Sequence, residues 1–184
     1  MKSVYSEQSL RSPQARLSGA ISQPGGVHSG YSTVRSYSIA SAPNSDGYVE
    51  LTVERLPNGE VSPYLTQELA VGDRLELRGP IGEWFVWRTE QTEPIQLIAG
   101  GSGIVPLMAM IRSHASAAST APFRLLYSVR EPGAIFYRNE LQMLSDRNHS
   151  VSIAYAYTRA TSEDWPRPLR PLPLLPSVMP ASFD

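Results

Sequence analysis

Gly100-Gly101-Ser102-Gly103-Ile104-Val105-Pro106 stands between an apolar run and a segment of helical pattern. A glycine loop at that place leaves room for a pyrophosphate, and its N–H groups and the following helix dipole favour an anion. A tight strand-to-helix turn has the same composition, and the spacing is not the Gly-x-Gly-x-x-Gly fingerprint of the common dinucleotide fold. Upstream, Arg35-Ser36-Tyr37-Ser38 offers a guanidinium, a phenol and hydroxyls in a β-prone stretch. Alternation sets Arg35 and Tyr37 on one face and Ser38 on the other. A cation for phosphate, an aromatic for stacking and a small polar group are what a flavin nucleotide requires, although such residues also decorate ordinary strands. Gly59-Glu60-Val61-Ser62 can hold a phosphate on backbone N–H groups, or simply start a capped helix. Arg130 and Thr158-Arg159 each follow a strand-like segment. A guanidinium with a hydroxyl suits a phosphate dianion, and solvated arginines look the same.

These groups need elements to position them. The alternation of Tyr48 to Arg55 puts Val49, Leu51 and Val53 on one face of an antiparallel strand. Pro63 to Leu69 predicts a short helix with Ser62 as N-cap and proline at its first position. Val71-Gly72-Asp73 is a turn, and Leu75 and Leu77 alternate along the next strand. After Glu93 the pattern changes: Ile95 to Ala99 predicts a buried strand, Pro106 to His114 a helix and Phe123 to Val129 a strand. Asn139 to Arg147 then predicts a helix and Val151 to Tyr157 a strand. Alternating strands and helices imply a parallel sheet with right-handed crossovers. Residues 1–30 are rich in Ser, Gln, Gly and Pro and predict irregular structure, while 161–184 form a proline-rich tail.

Bulk properties exclude several classes. In 184 residues, 16 Lys and Arg against 17 Asp and Glu leave a formal charge of −1, so no basic field recruits nucleic acid. Cysteine is absent, which removes disulfides, thiolate metal sites and a cysteine-ligated cluster within the chain. His28, His114 and His149 lack ligand-like spacing and receive no role. No apolar run reaches the length of a membrane span or signal core, and the expectation is a soluble, cytoplasmic protein.

Taken in order, Arg-x-Tyr-Ser, Gly-x-x-Ser, Gly79-Pro-Ile-Gly-Glu-Trp-Phe85 and Gly-Gly-Ser-Gly-x-x-Pro resemble the ferredoxin-NADP reductase family over residues 31–160. The resemblance implies two lobes: a partial antiparallel β-barrel lobe for flavin over 31–93, then a partial α/β parallel-sheet lobe for NAD(P) over 94–160. It implies FAD, with FMN an alternative, and NAD(P)H as co-substrate with a slight preference for NADPH. Arg35 would meet a flavin phosphate, Tyr37 would pack along the ribityl and ring, and Ser38 would approach the reactive edge. Gly59, Val61 and Ser62 would cradle the pyrophosphate, while Gly101, Ser102 and Gly103 would face the nicotinamide nucleotide with Ser102 nearest the transfer. Ser38 and Ser102 are thus the catalytic candidates. Thr158 and Arg159 would read a 2′-phosphate, helped by Arg130. Electrons would leave for a one-electron acceptor such as a ferredoxin or iron–sulfur protein.

Both ends depart from that pattern. Pro24-Gly25-Gly26 only echoes the family's Pro-Gly-Gln turn, and no cysteine exists for its closing Cys-Gly-Pro. A fragment or frame-shifted reading would look this way. The expectation is a barrel with unpaired edges, two loosely joined lobes, weakened flavin binding and poor catalysis. Trp84 and Phe85 are assigned to the core or the lobe interface. An alternative is a non-catalytic remnant whose Arg170-Pro-Leu-Pro-Leu-Leu-Pro176 tail docks in an aromatic groove.

Overall fold

The computed structural model describes residues 2–7, 16–22, 32–73, 75–81 and 86–159. Its N-terminal lobe holds β1 (Lys2–Glu7), β2 (Arg16–Ser22), β3 (Ser32–Ser38), β4 (Tyr48–Val53) and β5 (Glu76–Ile81). β1 runs antiparallel to β4, with Val4 opposite Leu51, and β2 lies between β3 and β5. An isolated bridge from Ile39 to Leu51 links the two ladders, which close no barrel among the described residues. β1 and β2 fall where irregular structure is expected from composition. Their hydrogen bonds come from β4, β3 and β5, far along the chain, and strand formation follows such partners more than local propensity. The Pro24–Gly26 echo, Trp84, Phe85 and the proline-rich tail lie outside the described residues.

The alternation of β4 buries Val49, Leu51 and Val53 on one face, as its sequence demands. Against them pack Val61, Leu65 and Leu69 from a short helical turn, α1 (Val61–Pro63), that widens into a π-helical turn over Tyr64–Glu68. Ser62 is not the N-cap. Glu60 takes that place without a side-chain bond, and Ser62 Oγ accepts the Leu56 N–H at 3.0 Å. Gly59 is required beside it, because a Cβ there would come within 2.9 Å of Ser62 Oγ and 3.2 Å of the Leu56 carbonyl.

The C-terminal lobe alternates β6 (Ile95–Gly100), α2 (Val105–Ser116), β7 (Phe123–Val129), α3 (Arg138–Arg147) and β8 (Val151–Tyr157). Its strands are parallel in the order β6-β7-β8. Leu97, Leu125 and Ile153 share one row and pack with Met108 and Ile111 of α2 and Leu141 of α3. Full burial of each such side chain contributes about 1.5–3 kcal/mol. His114, fully buried, points Nε2 at the Ala121 carbonyl at 2.8 Å, which fixes that nitrogen as the donor and ties the end of α2 to the approach of β7.

β6 is not buried throughout. Leu97 and Ala99 face the helices, but alternation turns Ile98 to the opposite face, where it is 70% exposed in a row with the exposed Leu126. Parallel sheets are ordinarily covered on both faces. Here the helices of the described residues cover one.

The lobes are also not loosely joined. Arg112 on α2 donates to the Ala40 carbonyl at 2.7 Å and pairs with Glu50 at 3.2 Å, both from the N-terminal lobe. Ala40 itself sits in the apolar core of the C-terminal lobe. The tie was hidden because its partners are remote in sequence.

Candidate nucleotide and flavin site

The C-terminal ends of β6, β7 and β8 meet on one edge of the parallel sheet, the edge where α/β folds bind ligands. β6 runs into a 3-10 turn, Gly101–Ile104, which leads into α2 with Pro106 in the first helical turn. Gly101 adopts φ +50°, a left-handed conformation that other residues rarely take. Ile104 is fully buried and anchors the turn, while Ser102 and Gly103 are exposed above it. From below, the Tyr127 phenol donates to the Gly101 carbonyl at 2.9 Å and accepts the Phe136 N–H at 3.3 Å. Burial pushes the Tyr127 phenol up to about 12, so it stays a donor across the physiological range.

Beyond β7 and β8 the ladder continues for two residues. Thr158 N–H donates to the Val129 carbonyl at 3.0 Å and Arg159 N–H to the Arg130 carbonyl at 3.1 Å. Arg130, Thr158 and Arg159 are therefore held together at the loop's edge of the sheet, all exposed. Tyr155 stacks on Tyr157 with centroids 6.4 Å apart and lies 6.1 Å from Tyr127. The loop has the form of an anion cradle: a Cβ placed on Gly101 or Gly103 would meet no atom within 4 Å. That leaves room for a phosphate to come close to the loop backbone, as binding of a dinucleotide would require.

In the N-terminal lobe, Arg35, Tyr37 and Ser38 lie on β3. Arg35 is exposed and donates to the Val34 carbonyl at 2.8 Å. Tyr37 is half-buried against the apolar cluster that contains Val61, so β3 and the start of α1 rest on one core. Burial raises the Tyr37 phenol above its ordinary value, and the charge of Arg35 acts against that rise. Val61 and Ser62 are themselves buried, one in the core and the other bonded to Leu56. The Gly59 N–H already donates to the Leu56 carbonyl at 2.9 Å, so a phosphate at this turn would be left the N–H groups of Val61 and Ser62 and the proton of the Ser62 hydroxyl, whose oxygen accepts from Leu56.

Sequence reasoning missed Tyr127. Its place in the alternation of β7 was legible, facing inward with Leu125, but the end of β6 lies 26 positions away from it. The described residues hold no group of three or more His, Cys, Asp or Glu able to bind a metal, and no helix among them is long and apolar enough to cross a membrane.

A β lobe followed by a parallel α/β lobe, with a glycine cradle on its C-terminal edge, defines a two-domain flavin and nicotinamide oxidoreductase fold. Two family descriptions match: an oxidoreductase FAD-binding domain over residues 19–86 and an oxidoreductase NAD-binding domain over residues 97–168. The chain belongs to the ferredoxin reductase-like family. It is 35% identical over 127 residues to methane monooxygenase component C of Methylosinus trichosporium, covering 69% of this chain and 37% of that one. Identity is 33% over 125 residues to the ferredoxin–NAD(P)(+) reductase component of naphthalene 1,2-dioxygenase/salicylate 5-hydroxylase systems from Ralstonia, covering 67% and 38%. The chain thus spans less than half the length of these relatives. Its fold is similar to the flavohem-like FAD/NAD binding domain of nitric oxide dioxygenase from Vibrio cholerae, with a TM-score of 0.77 at 23% identity over 96% of this chain and 76% of that one.

Proposed function

We propose that this chain carries the flavin- and nicotinamide-binding part of a reductase that takes hydride from NAD(P)H and passes electrons singly to an acceptor protein. The observation that carries this reading is the open Gly101–Gly103 cradle, pinned by Tyr127 on the sheet edge that Arg130, Thr158 and Arg159 share. Bound FAD would supply the conversion of a two-electron donor into one-electron steps. The protein's part is alignment. Arg35 binds a flavin phosphate, Tyr37 packs along the ribityl chain and ring, and Ser38 faces the reactive edge. Val61 and Ser62 offer N–H groups to the pyrophosphate, and Gly59, whose own N–H donates to the Leu56 carbonyl at 2.9 Å, holds the turn that presents them. Ser102 stands at the nicotinamide end of the cradle. FAD is favoured over FMN by the domain matched at residues 19–86.

Thr158 and Arg159 carry the choice between donors. A hydroxyl beside a fixed cation favours the 2′-phosphate of NADPH, whereas several relatives are named as NADH enzymes, among them the NADH-cytochrome b5 reductase 1 of Aspergillus fumigatus. The acceptor is a ferredoxin, an iron–sulfur protein or an oxygenase component, a reading supported by relatives named as reductase components of monooxygenase and dioxygenase systems. Matches to both cofactor domains favour this over a remnant that works through its proline-rich tail. The test is the absorption spectrum and extracted cofactor of the purified chain, followed by anaerobic titration with NADH and NADPH. Yellow protein bleached by either nucleotide is expected. A chain that takes up no FAD from excess cofactor overturns the reading.

A further inference from the structure

Several contacts between the lobes converge on one side chain. Arg112, midway along α2 and 19% exposed, holds Glu140 of α3 bidentately at 2.6 and 2.8 Å. The same guanidinium reaches across to the Ala40 carbonyl and to Glu50 on β4. Burial opposes its charge, but the hydrogen bonds and charges of Glu140 and Glu50 outweigh that and hold its pKa above the ordinary value. Beneath it lies the Tyr137 ring, with its centroid 5.2 Å from the guanidinium carbon, and the Tyr137 phenol donates to Thr52 Oγ1, also on β4. Tyr137 is a bulky residue at φ +57°, a conformation that persists only where surrounding contacts enforce it. Both of those contacts belong to the joint between the lobes.

We propose that Arg112 is a positioning residue that sets the angle between the two lobes and thereby the approach of nicotinamide to flavin; the second half rests on the function proposed above. Hydride transfer needs its partners about 3–3.5 Å apart, and misplacement by about 1 Å can cost about a hundredfold in rate. The planar fork of Arg112 makes four hydrogen bonds at once, two to Glu140, one to Glu50 and one to the Ala40 carbonyl, more than the three N–H groups of a lysine ammonium can supply.

The chain contains no cysteine, so two spin labels can be placed cleanly, at Asn58→Cys in the N-terminal lobe and Met143→Cys on α3, both exposed. The labelled parent should give one narrow distance distribution. Arg112→Lys should broaden it, and so should Glu50→Ala with Thr52→Val, which removes both β4 anchors while leaving the Arg112–Glu140 pair intact. This second variant decides the matter if the first does not fold. Flavin reduction by NADH should slow by about ten- to a hundredfold in these variants while flavin and NADH affinities hold. Distributions as narrow as the parent's overturn the proposal. Broadened distances with an unchanged reduction rate overturn its second half. A parent that binds no flavin defeats the proposed function instead, and the distances alone then decide whether Arg112 sets the lobe angle.

Discussion

The Tyr127 phenol, rooted in β7, donates to the carbonyl of Gly101 at the end of β6. It ties the cradle to the strand beneath. Tyr127→Phe removes that bond and leaves the Gly101 carbonyl and the Phe136 N–H without it. The expected loss is about 1–2 kcal/mol in a urea melt, together with weaker NAD(P)H binding and unaltered flavin affinity. Nucleotide affinity equal to the parent's would show that the tie does not shape the cradle.

Gly101 and Gly103 should separate fold from binding. A side chain on Gly103 meets nothing within the protein, so Gly103→Val should melt like the parent yet fail to be reduced efficiently by NAD(P)H, with its flavin spectrum unchanged. Gly101→Val adds a left-handed penalty of about 1–3 kcal/mol on top of the same obstruction. If Gly103→Val also loses flavin, the substitution has disturbed more than the cradle.

Arg35→Ala should weaken flavin binding by about 1.5–3 kcal/mol, the range for a hydrogen bond to a charged group. Titration of the apoprotein measures it. An unchanged dissociation constant removes Arg35 from the site.

Stability should fall in alkali. Burial pushes the phenols of Tyr127 and Tyr137 up to about 12, while unfolded tyrosines ionise near 10. Both folded values are raised, so their contribution is complete below about pH 10 and is lost as pH rises through about 12, because the unfolded chain releases its protons first. Each phenol is worth up to about 2–3 kcal/mol across that window. Tyr137→Phe should flatten the decline measured by urea melts between about pH 9 and pH 11.5. An equally steep decline in that variant would mean that the Tyr137 phenol ionises normally in the fold.

The parts of the fold legible in the sequence are those whose signal is local. β7 and β8 begin and end where their apolar runs do, and Pro106 marks the start of α2 to within a residue. The glycine cradle was legible for the same reason, since strand, glycines and proline are contiguous. β1 and β2 were not, because what makes them strands is pairing with β4, β3 and β5. Ser62 looked like a cap because serine before proline usually is one; the close approach of Leu56 gave its hydroxyl another partner. Nothing in the sequence singles out Arg112, since its partners lie 28, 62 and 72 positions away. Contacts of that separation leave no trace in periodicity.

α2 begins at the cradle and carries Arg112 seven residues past Val105, roughly 10 Å along its axis at 1.5 Å per residue. It behaves as a lever with the cradle at its pivot. A tilt of about ten degrees there would swing the guanidinium end by about 2 Å, and hydrogen bonds near 2.7 Å do not survive such a displacement. Motion of the cradle by that much thus costs the Arg112 bonds, about 1.5–3 kcal/mol each, unless the N-terminal lobe travels with it.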